Sequence, residues 1–299
     1  MADYVHPYRD TEFVLNEVLG FERLCAELGL GDVNRERAAA VLAEAGKLGA
    51  EVLAPLNAVG DREGVRLTEH GVKEAPGFAD AYRLFSEGGW CSLTAPEAFG
   101  GQALPNVLGT AVSEVWHAAN MAFALCPLLT QGAIEALAHH ASAPLQARYL
   151  PRLVSGEWTG TMNLTEPDAG SDLAAVKARA VPEGEHYRIT GQKIFISWGD
   201  HQMTSNVIHL VLARLPDAPA GVKGISLFLV PKFLPNAAGE AAEPNDVRCV
   251  SLEHKLGIHG SPTCTMSFGE QGGAIGYLVG EPHAGLSCMF TMMNHARQC

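Results

Sequence analysis

Residues 161–173 read TMNLTEPDAGSDL and place Thr165, Pro167, Gly170 and Ser171 within seven positions. Pro167 fixes φ at the second position of a turn, Gly170 is free to take φ > 0, and Ser171 or Asp172 can cap the next element. Successive backbone N–H groups in such a turn converge on an anion or heteroatom, and the hydroxyls of Thr165 and Ser171 both donate and accept. The same residues also suit an ordinary strand-to-helix connection with a Ser or Asp cap, and turn chemistry alone leaves both open. A second stretch, ITGQKIFISWGD (189–200), reads as a hairpin turning at Gly191 into a strand that carries Ile194, Phe195, Ile196, Ser197 and Trp198. With a strand period of two, Phe195 and Ser197 share a face. A flat aromatic ligand could stack there and be hydrogen-bonded at its rim; the plainer alternative is a buried Phe beside an edge serine.

The chain that must position these residues has 299 residues, 47% hydrophobic and 18% charged, enough to bury a sizeable core in two packed units. A net charge of −12 disfavours nucleic acid, because a phosphate backbone would be repelled. The apolar runs at 122–129 and 207–213 are too short for a membrane helix, so no span is expected. The opening MADYVHPYRD lacks the basic and apolar regions of a secretory leader, which implies a cytoplasmic protein. Seven scattered cysteines (25, 91, 126, 249, 264, 288, 299) form no CxxC pair and are expected to be reduced. P-loop, GxGxxG, HExxH and GxSxG patterns are absent, and no metal site is expected; His139-His140 reads as surface or packing.

Helical periodicity fills the first half. One helix is expected over 10–28, a second over 33–53 that stops before Pro55, and a third from Pro105 through Phe123, with further pieces near 73–87, 127–141 and 144–154. Past Glu157 the pattern turns to short β-rich runs at 185–190, 193–198, 206–214, 224–231, 247–253 and 262–269, with a flexible polar loop at 234–246. Strands without intervening helices predict an antiparallel barrel or sandwich. The fold class is thus α+β: a helical N-terminal domain (1–156), a middle β-domain (157–282), and at 283–299 the first helix of an incomplete C-terminal helical domain. That helix places Leu286, Met289, Phe290 and Met293 on one face, with nothing on this chain expected to pack against it. Met289, Met292 and Met293 read as helix core, or alternatively as the lining of an acyl channel.

Taken together, these segments resemble the acyl-CoA dehydrogenase family. TMNLTEPDAGSDL looks like the family signature written around V-T-E-P-G-A-G-S-D, and GQKIFISWGD looks like its N-G-x-K-x-W-I-T-N-G motif. EHKLGIHGSPTCTMSFG (253–269) is similar to the K-x-G-x-R-x-S-x-T segment, and NHAR (294–297) to the opening of the family's first C-terminal helix. The blocks YRDTEFVLNEVLG and LVLARLPDAPAGVKGISLFLVPKFL look most like the larger dehydrogenases with an extended C-terminal region, a subgroup that includes long-chain and 3-methylmercaptopropionyl-CoA enzymes.

The resemblance implies FAD held between the middle and C-terminal domains and across a subunit interface, hence a homodimer or higher oligomer. By motif position Met162, Leu164 and Thr165 would line the isoalloxazine, Leu164 through its backbone and Thr165 through its hydroxyl near the N5/O4 edge. Gly170 and Ser171 would serve the pyrophosphate region or the CoA arm, Phe195 and Ser197 the remaining flavin contacts, and Asn294 and Arg297 the CoA end of an acyl-CoA substrate. Phe195 stands where the family has Trp, Ser197 where it has Thr, Met162 where an aromatic is frequent, and Asn294 where Asp is frequent.

The implied reaction is α,β-dehydrogenation of an acyl-CoA, as in fatty-acid β-oxidation, with electrons passing to an electron-transfer flavoprotein or another acceptor. Glu166 and Asp168 lie inside the turn and read as backbone-facing or exposed, Asp172 as a cap. The family's base is a glutamate of the C-terminal domain, expected outside these residues, so the isolated chain is expected to be inactive. A flavin monooxygenase or nitroalkane oxidase on the same scaffold, and a non-catalytic acyl-CoA or partner-binding subunit, are the competing readings.

Overall fold

The computed structural model describes residues 4–298. Part of the opening stretch read for a leader, and Cys299 among the reduced cysteines, lie outside them. The other six cysteines are free thiols.

The helix expected over 10–28 is two. α1 (Tyr8–Phe13) continues through a π turn at Val14–Val18, and Gly20, with φ 66°, redirects the chain into α2 (Phe21–Glu27). α3 (Arg35–Leu48) is capped by Asn34, whose Oδ1 accepts from the Arg37 N–H at 2.9 Å. Instead of stopping before Pro55, the helical path passes a π turn at Gly49–Leu53 into α4 (Ala54–Glu63), where Pro55 sits in the first turn and its missing N–H costs nothing. A hairpin of β1 (Arg66–Thr68) and β2 (Gly71–Lys73), which periodicity did not reveal, shortens the next helix to α5 (Phe78–Glu87).

α6 (Asn106–His140) unites the third helix with the piece expected at 127–141. At Asn120 the backbone leaves helical geometry (φ −158°, ψ 87°). The side chain of Asn120 donates to Leu53 O at 3.1 Å and accepts from the Phe123 N–H at 3.1 Å, so the bend carries its own internal cap. By length and composition α6 could cross a membrane, which the short apolar runs did not suggest; 72% of its apolar window is buried inside this protein. α7 (Ala143–Val154) forms as expected.

The β-domain begins with β3 (Trp158–Asn163) and continues with β4 (Arg179–Glu183), β5 (His186–Ser197), β6 (Asn206–Arg214) and β7 (Ile225–Pro231). A small hairpin of β8 (Phe233–Pro235) and β9 (Ala241–Pro244) occupies the region expected to be a loop, and β10 (Val247–Leu252), β11 (Thr263–Phe268) and β12 (Ala274–Val279) complete the set. β5 pairs with β12, β12 with β7 and β7 with β6; β6 meets β4 at Arg214–Arg179, and β4 returns to β5, which closes a barrel. β3 adds beside β6, and β11 with β10 extends from the far half of β5. The sheet is mixed rather than antiparallel throughout: β3 runs parallel to β6, and β4 meets β6 in parallel. Such pairs need a long crossover, and β4 and β5 lie on the crossover from β3 to β6.

Gly191 is not a hairpin turn. β5 is one twelve-residue strand, and Gly191 lies inside it with φ 141°. A Cβ there would stand 2.8 Å from the Cβ of Ala178, so only glycine lets the two segments approach while the strand passes from its β12 partner to β11.

The last helix, α8 (Gly285–Gln298), has partners on this chain, contrary to expectation. Gly285 lies against the Ser226 backbone at the start of β7, and Gly132 of α6 admits Met292. Thr291 Oγ1 meets His140 Nε2 at 2.7 Å, and His295 Nδ1 meets Glu135 Oε1 at 3.3 Å. Cys288, Met289, Met292 and His295 are the buried face, whereas Phe290 points outward. The small residues on α6 and β7 that allow this contact are distant in sequence, so helix periodicity could not reveal it.

Two apolar cores meet along α6. Its first half packs with α3, α5 and their neighbours, its second half with α7, α8 and the barrel. Trp198, at the end of β5, crosses between them: it is buried among the helices, stacks on Phe78 at 6.2 Å and donates from Nε1 to Ala122 O at 3.0 Å. A buried polar seam lies beneath β3. Thr161 Oγ1 meets His209 Nδ1 at 2.8 Å, Asn163 donates to Thr161 Oγ1 at 2.9 Å, and Thr159 Oγ1 meets His201 Nε2 at 2.9 Å. Burial pushes both imidazoles down to about 3, and the Lys232 ammonium acts in the same direction.

This packing makes two predictions. Asn120→Ala removes both bonds at the bend and leaves buried backbone groups unpaired; it is expected to cost about 1–3 kcal/mol, read from urea unfolding. The depressed His201 and His209 values mean that the unfolded chain takes up protons near 6.5 that the folded chain refuses until about 3. Their stability contribution is therefore complete above about 6.5 and falls as pH drops from there toward 3, by about 1.4 kcal/mol per pH unit per histidine. His209→Asn, which can keep a bond to Thr161, should remove about one such increment from the slope of stability between pH 6 and 4.

Candidate functional site

The signature segment leaves β3 after Asn163 and is clamped at once. Glu166 and Ala169 exchange backbone hydrogen bonds at 3.0 and 3.1 Å, closing a turn with Pro167 at its second position as expected. Gly170 does not adopt positive φ; it is exposed, with open space around it. Asp172 caps as expected, accepting from the Ala174 N–H at 2.9 Å, but the element it caps is a single 3₁₀ turn, Leu173–Ala175.

The clamp is an ion pair removed from water. Lys193 is fully buried and Glu166 is 5% exposed, with Nζ to Oε1 at 2.8 Å. Lys193 Nζ also donates to Leu164 O at 3.0 Å, while Glu166 accepts from the N–H groups of Lys177 at 2.6 Å and Ala178 at 3.1 Å. Burial lowers the Lys193 ammonium to about 8, against the opposing pull of Glu166. Asp168 is exposed and bound to Lys177 at 2.6 Å, which holds its carboxyl below the usual range through that hydrogen bond. Sequence reasoning missed Lys193. Its signal is there, a lone cation in the apolar run KIFI at an inward β5 position, two residues from Gly191 and four from buried Ile189.

The N–H of Ile194 donates to Thr165 O at 2.9 Å, so the carbonyls of Leu164 and Thr165 are both turned onto β5. The Leu164–Thr165 peptide bond is trans, as is every other among the described residues, so the Thr165 N–H points away from Lys193. Among the described residues it has no acceptor, and the hydroxyl of half-buried Thr165 is likewise free. The contact of Thr165 with Ile194 brings it beside Phe195. Phe195 is 58% exposed with φ 60°, on a bulge between the Ile196–Cys264 and Lys193–Met266 pairs. The bulge interrupts the two-residue alternation assumed for Phe195 and Ser197. Ser197 is half-buried, with a hydroxyl that has no partner among the described residues, while Trp198, next along the chain, is turned into the helical core.

Met162 and Leu164 are half-buried at the margin of the barrel core. The N–H groups of Gly170, Ser171, Asp172 and Leu173 have no acceptor among the described residues, nor has the Ser171 hydroxyl a partner. The Leu164–Lys193 and Thr165–Ile194 bonds thus make a rim of Leu164, Thr165 and the adjacent Phe195, with Met162 two residues back on β3, Ser197 two residues further along β5, and Gly170 and Ser171 on the exposed loop that follows. Asn294 and Arg297 stand apart, exposed on the last turns of α8, with no hydrogen bond to the turn. Such a rim offers apolar surface, hydroxyls and unspent amide donors to a flat polar-edged ligand, and a run of free amides to an anion.

Known proteins carry the same pattern. The chain matches the model of the acyl-CoA dehydrogenase N-terminal domain over residues 35–157 and that of the acyl-CoA dehydrogenase middle domain over 161–270. It is 47% identical to 3-methylmercaptopropionyl-CoA dehydrogenase of Ruegeria pomeroyi, over 98% of this chain and 50% of that protein. To a butyryl-CoA dehydrogenase of Syntrophomonas wolfei it is 36% identical, over 99% of this chain and 50% of the other. The chain thus spans about half the length of the curated relatives it matches. In fold it is similar to an acyl-CoA dehydrogenase of Bacillus anthracis solved with FAD, at TM-score 0.68 and 23% identity, covering 89% of this chain and 40% of that one. With two domain models matched in chain order across most of its length, the chain belongs to the acyl-CoA dehydrogenase family.

Proposed function

We propose that these residues form the flavin-holding part of an FAD-dependent acyl-CoA dehydrogenase, which converts an acyl-CoA thioester to the trans-2-enoyl-CoA. The observation that carries this reading is a set of polar groups with no partner among the described residues, the Thr165 amide and hydroxyl, the Ser197 hydroxyl and the amides of 170–173, on segments that also carry half-buried Met162 and Leu164. When bound, FAD would accept the β-hydrogen of the substrate as hydride at N5. Thr165 would hold the N5/O4 edge, Met162 and Leu164 would offer apolar contact to the ring, and Ser197 and Phe195 would complete its surroundings. Ser171 and the amides that follow Gly170 fit a pyrophosphate, because free N–H groups in sequence offset the charge of an anion. Asn294 and Arg297 would face the CoA end.

The α-proton of a thioester is weakly acidic and needs a base held in a dry pocket. No carboxylate of the turn is free to act as that base, since Glu166 serves Lys193 and two amides, Asp168 serves Lys177, and Asp172 caps. In keeping with the family resemblance, whose base is a glutamate of the C-terminal domain, we place the base outside these residues, and an electron-transfer flavoprotein, or another acceptor, downstream of the reduced cofactor. A homo-oligomer that shares the cofactor between subunits belongs to the same proposal.

Titration of FAD into the purified protein, followed by fluorescence quenching, should show saturable binding that Thr165→Val weakens by about 1–2 kcal/mol, roughly 5- to 30-fold in Kd. Anaerobic addition of an acyl-CoA to the loaded protein separates the readings. In a protein of the relatives' full length, bleaching of the visible flavin band supports dehydrogenation, whereas acyl-CoA binding without bleaching would favour a non-catalytic binding role; bleaching by the 299-residue chain alone would overturn the placement of the base outside it.

A further inference from the structure

We infer that Lys193 is a positioning residue for the ligand-facing peptide between Leu164 and Thr165, with its buried ammonium fixing the direction of that peptide and strengthening the Thr165 N–H as a donor toward the electron-rich edge of a bound flavin. The inference rests on the flavin reading of the rim.

Three observations on this chain carry it. Lys193 has no exposed surface, and the charge it brings indoors costs several kcal/mol before any partner is counted. A filler at this place in the barrel would be apolar, as Ile189 is four residues earlier on the same strand. Among the described residues the ammonium also has two acceptors: Glu166 Oε1 at 2.8 Å and the carbonyl of Leu164 at 3.0 Å. Finally, that carbonyl and the Thr165 N–H are the two ends of one trans peptide, and the N–H end has no acceptor among the described residues.

A charge-assisted hydrogen bond to a carbonyl draws electron density toward its oxygen and leaves the N–H at the other end of the amide more positive. Glu166 keeps the lysine in place without competing for the peptide, since its remaining bonds go to the N–H groups of Lys177 and Ala178. The consequence is asymmetric between cofactor states. A donor aimed at a ring edge that gains negative charge on reduction stabilises the reduced ring more than the oxidised one, so Lys193 should raise the midpoint potential.

The experiment compares the wild type with Lys193→Met and with Lys193→Met/Glu166→Gln, the double variant keeping the fold free of an unpaired buried charge. Exchange of the Ile194 amide, whose acceptor is Thr165 O, reports the clamp without cofactor. It should quicken about tenfold in both variants, equivalent to about 1.4 kcal/mol of local opening. With FAD bound, the reduced form should lose about tenfold more affinity than the oxidised form, a midpoint shift of about 30 mV to more negative potential for a two-electron couple. A double variant that melts near the wild-type temperature, with Ile194 exchange and potential unchanged, would reduce Lys193 to packing and overturn the inference. Failure of the wild type to take up FAD would sink the flavin reading instead, and Ile194 exchange would still decide whether Lys193 holds the peptide.

Discussion

A lysine ammonium with no access to water has to find its partners in the protein, and Lys193 finds two at the start of the signature turn, Leu164 and Glu166. Much of the local geometry results from that requirement. Glu166 must stay inside to balance the charge, so its carboxylate is available to gather the amides of Lys177 and Ala178 and bring the far end of the loop back to its start. Leu164 must turn its carbonyl inward, and a trans peptide then sends the next N–H outward. The outward donors of the rim are thus the other side of an inward electrostatic obligation.

The helical half of the chain bears on the same rim through Trp198. Its indole donates to Ala122 O just past the bend at Asn120, and its ring lies on Phe78. The bend matters here because a straight α6 would carry Ala122 elsewhere and leave a buried indole N–H unpaired. Asn120 in turn ties that bend to Leu53, at the end of the π turn between α3 and α4. A continuous chain of hydrogen bonds and ring contacts therefore runs from the N-terminal helices to the end of β5, where Ser197 stands.

The features legible in the sequence were local. The α+β class, α7, the Asp172 cap and the turn at Pro167 depend on residues within a few positions of one another, and those expectations agree with the structure. Several of the failures involve distant partners. Gly191 looked like a turn because glycine usually marks one, yet its reason is the close pass of Ala178 thirteen residues earlier. α8 looked orphaned because its sites, Gly132 and Ser226, lie far back in the chain. A parallel pairing of β3 with β6 leaves no mark on the alternation of either strand, which are buried on nearly every residue. Lys193 was visible as a type but not as a role, since its partner is separated from it by β4 and half of β5.

Phe195 is the residue on which local and functional arguments converge. A non-glycine residue with φ 60° is held in a sparsely populated conformation at about 1–2 kcal/mol, and an exposed aromatic ring gains nothing from burial to offset it. The ring itself adds nothing to the barrel: the bulge interrupts the β5–β11 ladder, and the ring packs in neither core. The neighbours explain its persistence. Lys193 must point inward two residues before it, Ile196 is buried one residue after it, and the intervening extra residue has only the outward direction left. Strain of this kind survives when the surrounding structure over-determines it, and here the surroundings are the lysine clamp on one side and the Trp198 anchor on the other. The same two constraints that shape the hydrogen-bonding rim also push an aromatic surface out beside it, so the rim combines donors and apolar area without a separate device for either.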